Sequence, residues 1–394
     1  MNSWLKQLRD DLSRLEALRL LRALEPAEAD GRLIHQRGQP LINLASNNYL
    51  ALANHPRICQ AAIEAIKAHG AGSGSSRLIS GHHPLHDAVE SRFARFKHAE
   101  AALICPTGYM ANLAVLGALA ARDTLVCVDK LNHASLIDAA AASGAKVRVF
   151  PHRQLARLQR LLVRHGPAAS RRIIVTDSVF SMDGDCADLP DLCDLAEQHD
   201  AIVVVDEAHA TGVLGRSGAG LCEQQGVADR VDIVVSTASK ALGGLGGIIS
   251  ARNEVIQTVV NRARSFIYTT ATPPAHAAAL STALDLLAAE PWRRDTLAKH
   301  AKRLRQVVKD CELDAGLIRP CDPAIPIVPL VTGEPRSALD LAKFLREQGF
   351  LAPAIRPPSV APGSARVRIS LRADLHEEDL DQLVAALKKW TQSR

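Results

Sequence analysis

The sequence predicts an α/β protein: a large, mostly parallel sheet domain of the seven-stranded type flanked by helices, an N-terminal helical arm before it and a smaller α+β domain after it. Three observations carry that expectation. From Leu41 to about Ala289, short apolar runs rich in Val and Ile alternate with helix-forming segments, the pattern of strands buried on both faces by crossover helices. Ahead of that block, Leu5, Leu8, Leu12, Leu15 and Leu18 recur at three- and four-residue steps. Beyond Pro291 the texture changes to longer amphipathic helices and a strand of alternating character. The expected boundaries are 1–40 for the arm, 41–289 for the large domain and 290–394 for the small one.

Taken in order, the leucine ladder runs until Pro26 and describes an amphipathic helix whose apolar stripe needs a surface. The expected sheet strands are the runs Ala101 to Cys105, Thr124 to Val128, Val147 to Phe150, Ile173 to Thr176, Ala201 to Val205, Ile233 to Val235 and Gly247 to Ile249. Ala139 to Ala142 reads as a helix interior. In the last third, Leu297, Ala301, Leu304 and Val308 mark one helix face, and a Pro-spaced extended stretch surrounds Ile325 to Val331. Leu341, Phe344 and Leu345 mark a second helix before Gly349. Val367 and Ile369 then alternate with Arg366, Arg368 and Ser370 ahead of a final helix, so Arg366, Arg368 and Arg372 read as a solvated strand face.

Composition narrows the function. The 394 residues are 47% hydrophobic and 23% charged, as in ordinary globular proteins. Aromatics are only 3%, too few for a nucleic-acid platform of stacked rings. Forty-seven Lys and Arg against 42 Asp and Glu leave +5, a mild excess that suits small anionic ligands and no polyanion. The opening stretch from Met1 to Asp10 has no signal-like apolar core, and no run approaches the roughly 18 apolar residues of a membrane span; a cytoplasmic protein without membrane association is expected. The eight cysteines, at 59, 105, 127, 186, 193, 222, 311 and 321, form no CxxC pair. In a reducing compartment they read mostly as small buried hydrophobes, with no metal site.

Chemistry concentrates at predicted strand ends. The run Ala201 to Val205 leads into Asp206, Glu207, Ala208 and His209, and open α/β sheets bind ligands beyond the carboxyl ends of their strands. The blander reading makes Asp206 a turn cap and His209 a packed histidine. The same DEAH string occurs in helicases, but the phosphate loop GxxxxGK that they require is absent. A second run, Ile233 to Val235, leads through Ser236, Thr237, Ala238 and Ser239 to Lys240, then Ala241, Leu242 and glycines. A partly desolvated amine there would be nucleophilic toward a carbonyl, whereas alone it reads as a surface lysine in a turn. Together with Asp206 and His209, Lys240 matches what pyridoxal phosphate needs: an amine for its aldehyde and a carboxylate for its ring nitrogen. Thr107 is a credible helix N-cap beside Gly108 and Tyr109, where amides meet anions. The segment Gly72 to Arg77 is a small, cationic loop that suits phosphate or a plain turn.

In this order the segments resemble the α-oxoamine synthase family, pyridoxal-phosphate enzymes of the aspartate-aminotransferase fold (fold type I). The resemblance spans nearly the whole chain. It rests on Ser46 to Leu50, Gly72 to Arg77, Gly81 with His86 and Glu90, Thr107 to Tyr109, Asn132 to Ser135 and Val179 to Asp185. It continues through Asp206 to His209, Thr237 to Lys240, Tyr268 to Thr270 with Pro273 and Pro274, and Ile355 to Val360. It implies that Lys240 joins the cofactor aldehyde and moves the substrate Cα proton, that Asp206 pairs with the ring nitrogen and His209 with the phenolic oxygen, and that His133 lies over the ring. Asn47 and Ser181 would add polar contacts. Gly108, Tyr109 and Thr237 would hold the phosphate, joined by Thr269 and Thr270 from the neighbouring subunit of a homodimer. Arg356 would receive the amino-acid carboxylate, with Arg22, His133 and Ser359 also on the substrate side. The segment from Ala354 to Val360 is most similar to the family member that condenses L-alanine with a pimeloyl thioester, on CoA or a carrier protein, in biotin biosynthesis. The alternatives are condensation of glycine with acetyl-CoA, the reaction of another α-oxoamine synthase, and a non-catalytic subunit on the same fold; the presence of Lys240, Asp206, His209 and His133 argues against the last. The chain departs from the family pattern with Asn48 for Asp, Ala51 for Gly, Asp177 for Glu and Ser359 for Thr.

Overall fold

Strands covered on both faces need apolar side chains on both, and the Val and Ile runs supply them. In the computed structural model, which describes residues 3–313 and 322–392, these runs form a seven-stranded sheet. Its spatial order is Ala101–Cys105, Gly247–Ala251, Ile233–Thr237, Ala201–Asp206, Arg171–Asp177, Thr124–Asp129 and Lys146–Phe150. Gly247–Ala251 runs antiparallel to both neighbours and the other pairings are parallel. All seven expected strands are present, and the sheet is mostly parallel. Ile173, Ile174, Val175, Val203, Val204 and Val205 are buried at its centre. Helix Gly108–Leu119 is apolar nearly all round and correspondingly buried against this core.

The chain divides into two compact units. One, Asn48–Ser181 with Asp185–Asp295, holds the seven-stranded sheet. The other comprises Met1–Asn47, Met182–Gly184 and Thr296–Arg394. Within the second unit the two ends of the chain fold together. The antiparallel strands Glu28–Asp30, Leu33–Gln36 and Gln39–Asn43 continue into parallel pairing with Phe350–Leu351. Leu44 adds two bonds, its N–H donating to Leu351 O at 2.9 Å and its carbonyl accepting from Ser370 N at 2.8 Å. The expected helix is present as Ser3–Ala17, with Leu8, Leu12 and Leu15 exposed.

The same unit corrects the reading of the arginine-rich strand. Ala365–Ser370 lies between Ile327–Gly333 and Ala354–Ile355 in a three-stranded antiparallel sheet, and all six of its residues are buried. Arg366 donates to Met182 O at 3.0 Å and to the Asp183 carboxylate. Arg368 donates to Asn47 Oδ1 at 3.2 Å and to Ser370 Oγ at 2.8 Å. Arg372 is paired with Asp374 at 2.7 Å. Alternation marks a polar face, but here that face is covered and its cations are supplied with acceptors.

Cys105, Cys127, Cys193 and Cys222 are buried free thiols; Cys59 and Cys311 are free and more exposed. Cys186 departs from the expectation, being disulfide-bonded; Cys321 lies outside the described residues. Among the described residues, no helix is long and apolar enough to cross a membrane.

Ile174 is fully buried in a strand flanked on both sides by parallel neighbours. Ile174→Ala is expected to cost about 2–5 kcal/mol, measured by denaturant unfolding; a loss below about 1 kcal/mol would show that the sheet centre collapses around the deletion.

Candidate active site

Parallel register delivers side chains from neighbouring strands to one edge of the sheet. Asp177 and Asp206 end adjacent strands as direct partners, and both are buried. Asn112, one turn inside helix Gly108–Leu119, donates its Nδ2 to Asp206 Oδ2 at 2.7 Å and to Ser135 Oγ at 2.8 Å. Ala208 N donates to Asp206 Oδ1 at 2.8 Å. Among the described residues no lysine or arginine forms an ion pair with Asp206. Burial, reinforced by the nearby Asp206 charge, holds the Asp177 carboxyl well above the usual carboxylate range. Asp177 accepts the His133 backbone N–H at 2.6 Å.

Lys240 and His209 come together from different strand ends, Lys240 Nζ lying 3.1 Å from His209 Nε2. The other ring nitrogen, Nδ1, is 2.7 Å from the Tyr49 hydroxyl, so the imidazole is oriented from both sides. His133 caps helix Ala134–Ala142, and its Nδ1 is 2.8 Å from Ser135 Oγ. Burial lowers its pKa, assisted by the Lys240 charge and opposed by Asp206, which favours a neutral ring.

Of the residues expected at the phosphate, Gly108 and Thr237 lie close together. Thr107 caps the helix by accepting Met110 N at 3.1 Å. A Cβ on Gly108 would lie 3.7 Å from the Thr237 side chain. Thr237 Oγ1 donates to Gly246 O at 3.0 Å and is 2.8 Å from Ser239 Oγ. Gly247 admits no other residue, because a Cβ there would be 2.4 Å from Thr107 O and 2.7 Å from Gly108 Cα. The Tyr109 hydroxyl donates to Asp138. Ser181 is half-buried in the turn closed by the Val179–Cys186 bridge. Thr270 is exposed and bridges Ser76, beside the half-buried Thr269.

These residues fit pyridoxal phosphate on their own chemistry. Among the described residues, Asn112 Oδ1 is buried without a hydrogen-bond partner, and the donors to the buried Asp206 carboxylate are neutral. A cationic ring nitrogen would complement that carboxylate, Lys240 supplies an amine for the aldehyde, and the N-terminus of helix Gly108–Leu119 suits a phosphate.

The remaining predicted residues belong to the other unit. Arg356 is half-buried and donates to Arg19 O, while Arg22 Nη2 donates to Pro357 O at 3.5 Å. Burial lowers the Arg356 pKa, with the Arg22 charge adding to it. Ser359 is exposed, its N–H donating to Arg356 O at 3.1 Å. Asn47 is held by Arg368. Sequence reasoning assigned no role to Asn112, Tyr49 or Arg368. Asn112 follows Gly108 by four residues, one helical turn, and that spacing could have pointed to it; nothing local distinguishes Arg368 from Arg366.

The family model for aminotransferase class I and II matches residues 39–387. The 8-amino-7-oxononanoate synthase of Geobacter sulfurreducens is 42% identical over 387 residues, covering 98% of this chain and 97% of that protein. A lysine-to-alanine variant of a serine palmitoyltransferase from S. paucimobilis, with a bound pyridoxal phosphate–myriocin aldimine, superposes with a TM-score of 0.92 at 26% identity, covering 100% of this chain and 99% of that one. The 8-amino-7-oxononanoate synthase structure from Francisella tularensis gives 0.76 at 26% identity, covering 90% and 98%.

Beside the site, His152 bridges Asp129 Oδ1 at 2.9 Å and Asp185 Oδ2 at 2.8 Å. Burial opposes its charge, but the hydrogen bonds and charges of the two carboxylates outweigh it and push the pKa up to about 9. The unfolded value is about 6.5, so the stabilisation is fully present below that pH and is lost as pH rises through about 9. His152→Gln should be less stable than the parent at pH 6, with the difference shrinking toward pH 9. Denaturant midpoints across that range measure it, and a pH-independent difference would mean that folding leaves the His152 pKa unshifted.

Proposed function

The chain belongs to the class I and II aminotransferase family, and we propose that it condenses L-alanine with a pimeloyl thioester to give 8-amino-7-oxononanoate in biotin biosynthesis. The observation that carries this reading is the 42% identity over nearly the whole length of both chains to a synthase of that name, joined to the Lys240, His209 and Asp206 geometry. The reaction forms a bond between alanine Cα and the pimeloyl carbonyl carbon, breaks the thioester and releases the thiol carrier and CO2.

Pyridoxal phosphate, when bound, supplies an electron-accepting ring joined to the amino-acid nitrogen. Lys240 offers its amine to the aldehyde, then takes and returns the proton at Cα. Asp206, steadied by Asn112, keeps the ring nitrogen protonated. His209, fixed by Tyr49, would hold the phenolic oxygen, and His133 would cover the ring. The amides of Gly108 and Tyr109, with Thr237, hold the phosphate, joined by Thr269 and Thr270 of a second copy in a homodimer. Ser181 and Asn47 add polar contacts. Arg356 receives the amino-acid carboxylate, a role that burial against Asn47 also supports for Arg368. Arg22 and Ser359 lie on the substrate side. The place of action is the cytoplasm.

The test is the visible spectrum of the purified protein, before and after borohydride and with L-alanine, glycine or L-serine added. A yellow protein bleached by borohydride, labelled on Lys240 and responding preferentially to L-alanine is expected. Preference for glycine or serine would replace L-alanine as the amino-acid substrate and move the reading to another acyl transfer of the family, and failure to take up the cofactor would end the proposal. Lys240→Ala should lower turnover by at least about 10²–10⁴-fold. Arg368→Met should raise the KM for alanine roughly tenfold or more; an unchanged KM removes Arg368 from the substrate side.

A further inference from the structure

Behind the Asp206–His209 turn lies an ion pair that the reaction does not use. Lys97 follows helix Pro84–Phe96, and its side chain is 2% exposed; that of Glu207 is 0% exposed. Lys97 Nζ donates to Glu207 Oε2 at 2.5 Å, to Thr211 Oγ1 at 2.8 Å and to the Ala219 carbonyl, so all three ammonium protons have acceptors. Glu207 Oε1 accepts Cys222 N at 2.8 Å. Thr211 Oγ1 passes the connection on, donating to Ser236 Oγ at 3.0 Å. One ammonium therefore ties both ends of segment 207–219, which carries His209, and reaches the strand that leads through Thr237 to Lys240. Gly220 completes the enclosure: its φ is +121°, and a Cβ there would lie 2.0 Å from Glu207 Oε2.

A buried ion pair is a poor device for stability alone, because a well-packed apolar pair of similar size often does as well or better. What an apolar pair lacks is direction. Resting on the function proposed above, we propose that Lys97 and Glu207 are positioning residues that set the spacing of His209 and Lys240, and so the grip on the cofactor, through the backbone of 207–211 and the Thr211–Ser236 bond.

Three variants test this. Lys97→Met leaves Glu207 buried without its cation and should destabilise the chain strongly. Lys97→Met/Glu207→Gln removes both charges and should restore melting to near the parent's, while Thr211→Val keeps the Lys97–Glu207 pair and removes the hydroxyl that connects Lys97 to Ser236. Hydrogen–deuterium exchange on the cofactor-free proteins should be about tenfold faster over 207–220 in the double variant, and faster to a smaller degree in Thr211→Val. In cofactor-loaded protein the pH midpoint of the visible band should shift, and kcat should fall by up to about 100-fold with little change in the KM for alanine. Parent-like exchange, together with a parent-like visible band in Thr211→Val, overturns the inference and leaves a packing role. If the double variant does not fold, Thr211→Val decides alone. A parent protein that takes up no cofactor sinks the proposed function, while exchange in the cofactor-free chains still decides this inference.

Discussion

Two carboxylates are buried side by side at the ends of adjacent parallel strands, and the local structure is arranged around that cost. Asp177 and Asp206 are register partners, so their charges repel in a region shielded from water. Burial first, and the neighbouring Asp206 charge second, make Asp177 hold its proton to higher pH. Asp206 is kept in place by Asn112, the Ala208 amide and the Ser178 bonds to its own carbonyl, all neutral groups. A small cation brought by a ligand is the natural complement of such a site, and a protonated pyridine supplies one without a competing side chain.

Precision around that carboxylate comes from backbone packed too closely for side chains. Gly247 lets Thr107 and Gly108 approach the sheet, so the helix N-terminus meets Thr237. Gly220 lets the 207–220 segment close over Glu207. At Gly243 a left-handed φ of +67° sets the turn after Lys240, where a Cβ would strike Ala53 N at 2.4 Å. Rigid close contact of this kind holds Lys240 and His209 within hydrogen-bond reach from different strands.

The second unit follows the same logic with opposite charge. Its buried arginines are satisfied by Asp183, Asn47 and Asp374, and the pairing of Gln39–Asn43 with Phe350–Leu351 joins the first and last parts of the chain. Asn47 and Arg368 meet because of that joining, although 321 residues separate them.

By itself, the sequence determined the seven strands, their mostly parallel character and the chemical identity of Lys240, Asp206, His209 and His133. Periodicity and strand-end motifs are local, and residues a few positions apart must express them together. Only the tertiary structure decided that Arg366, Arg368 and Arg372 are buried, that Asn112 and Tyr49 hold Asp206 and His209, and that Lys97 clamps the turn between them. Each of those facts is a contact between distant segments, and whether a polar side chain faces water or a partner depends on what covers it. A run of alternating Arg and Val reads identically in both cases until the neighbouring strands and turns are in place.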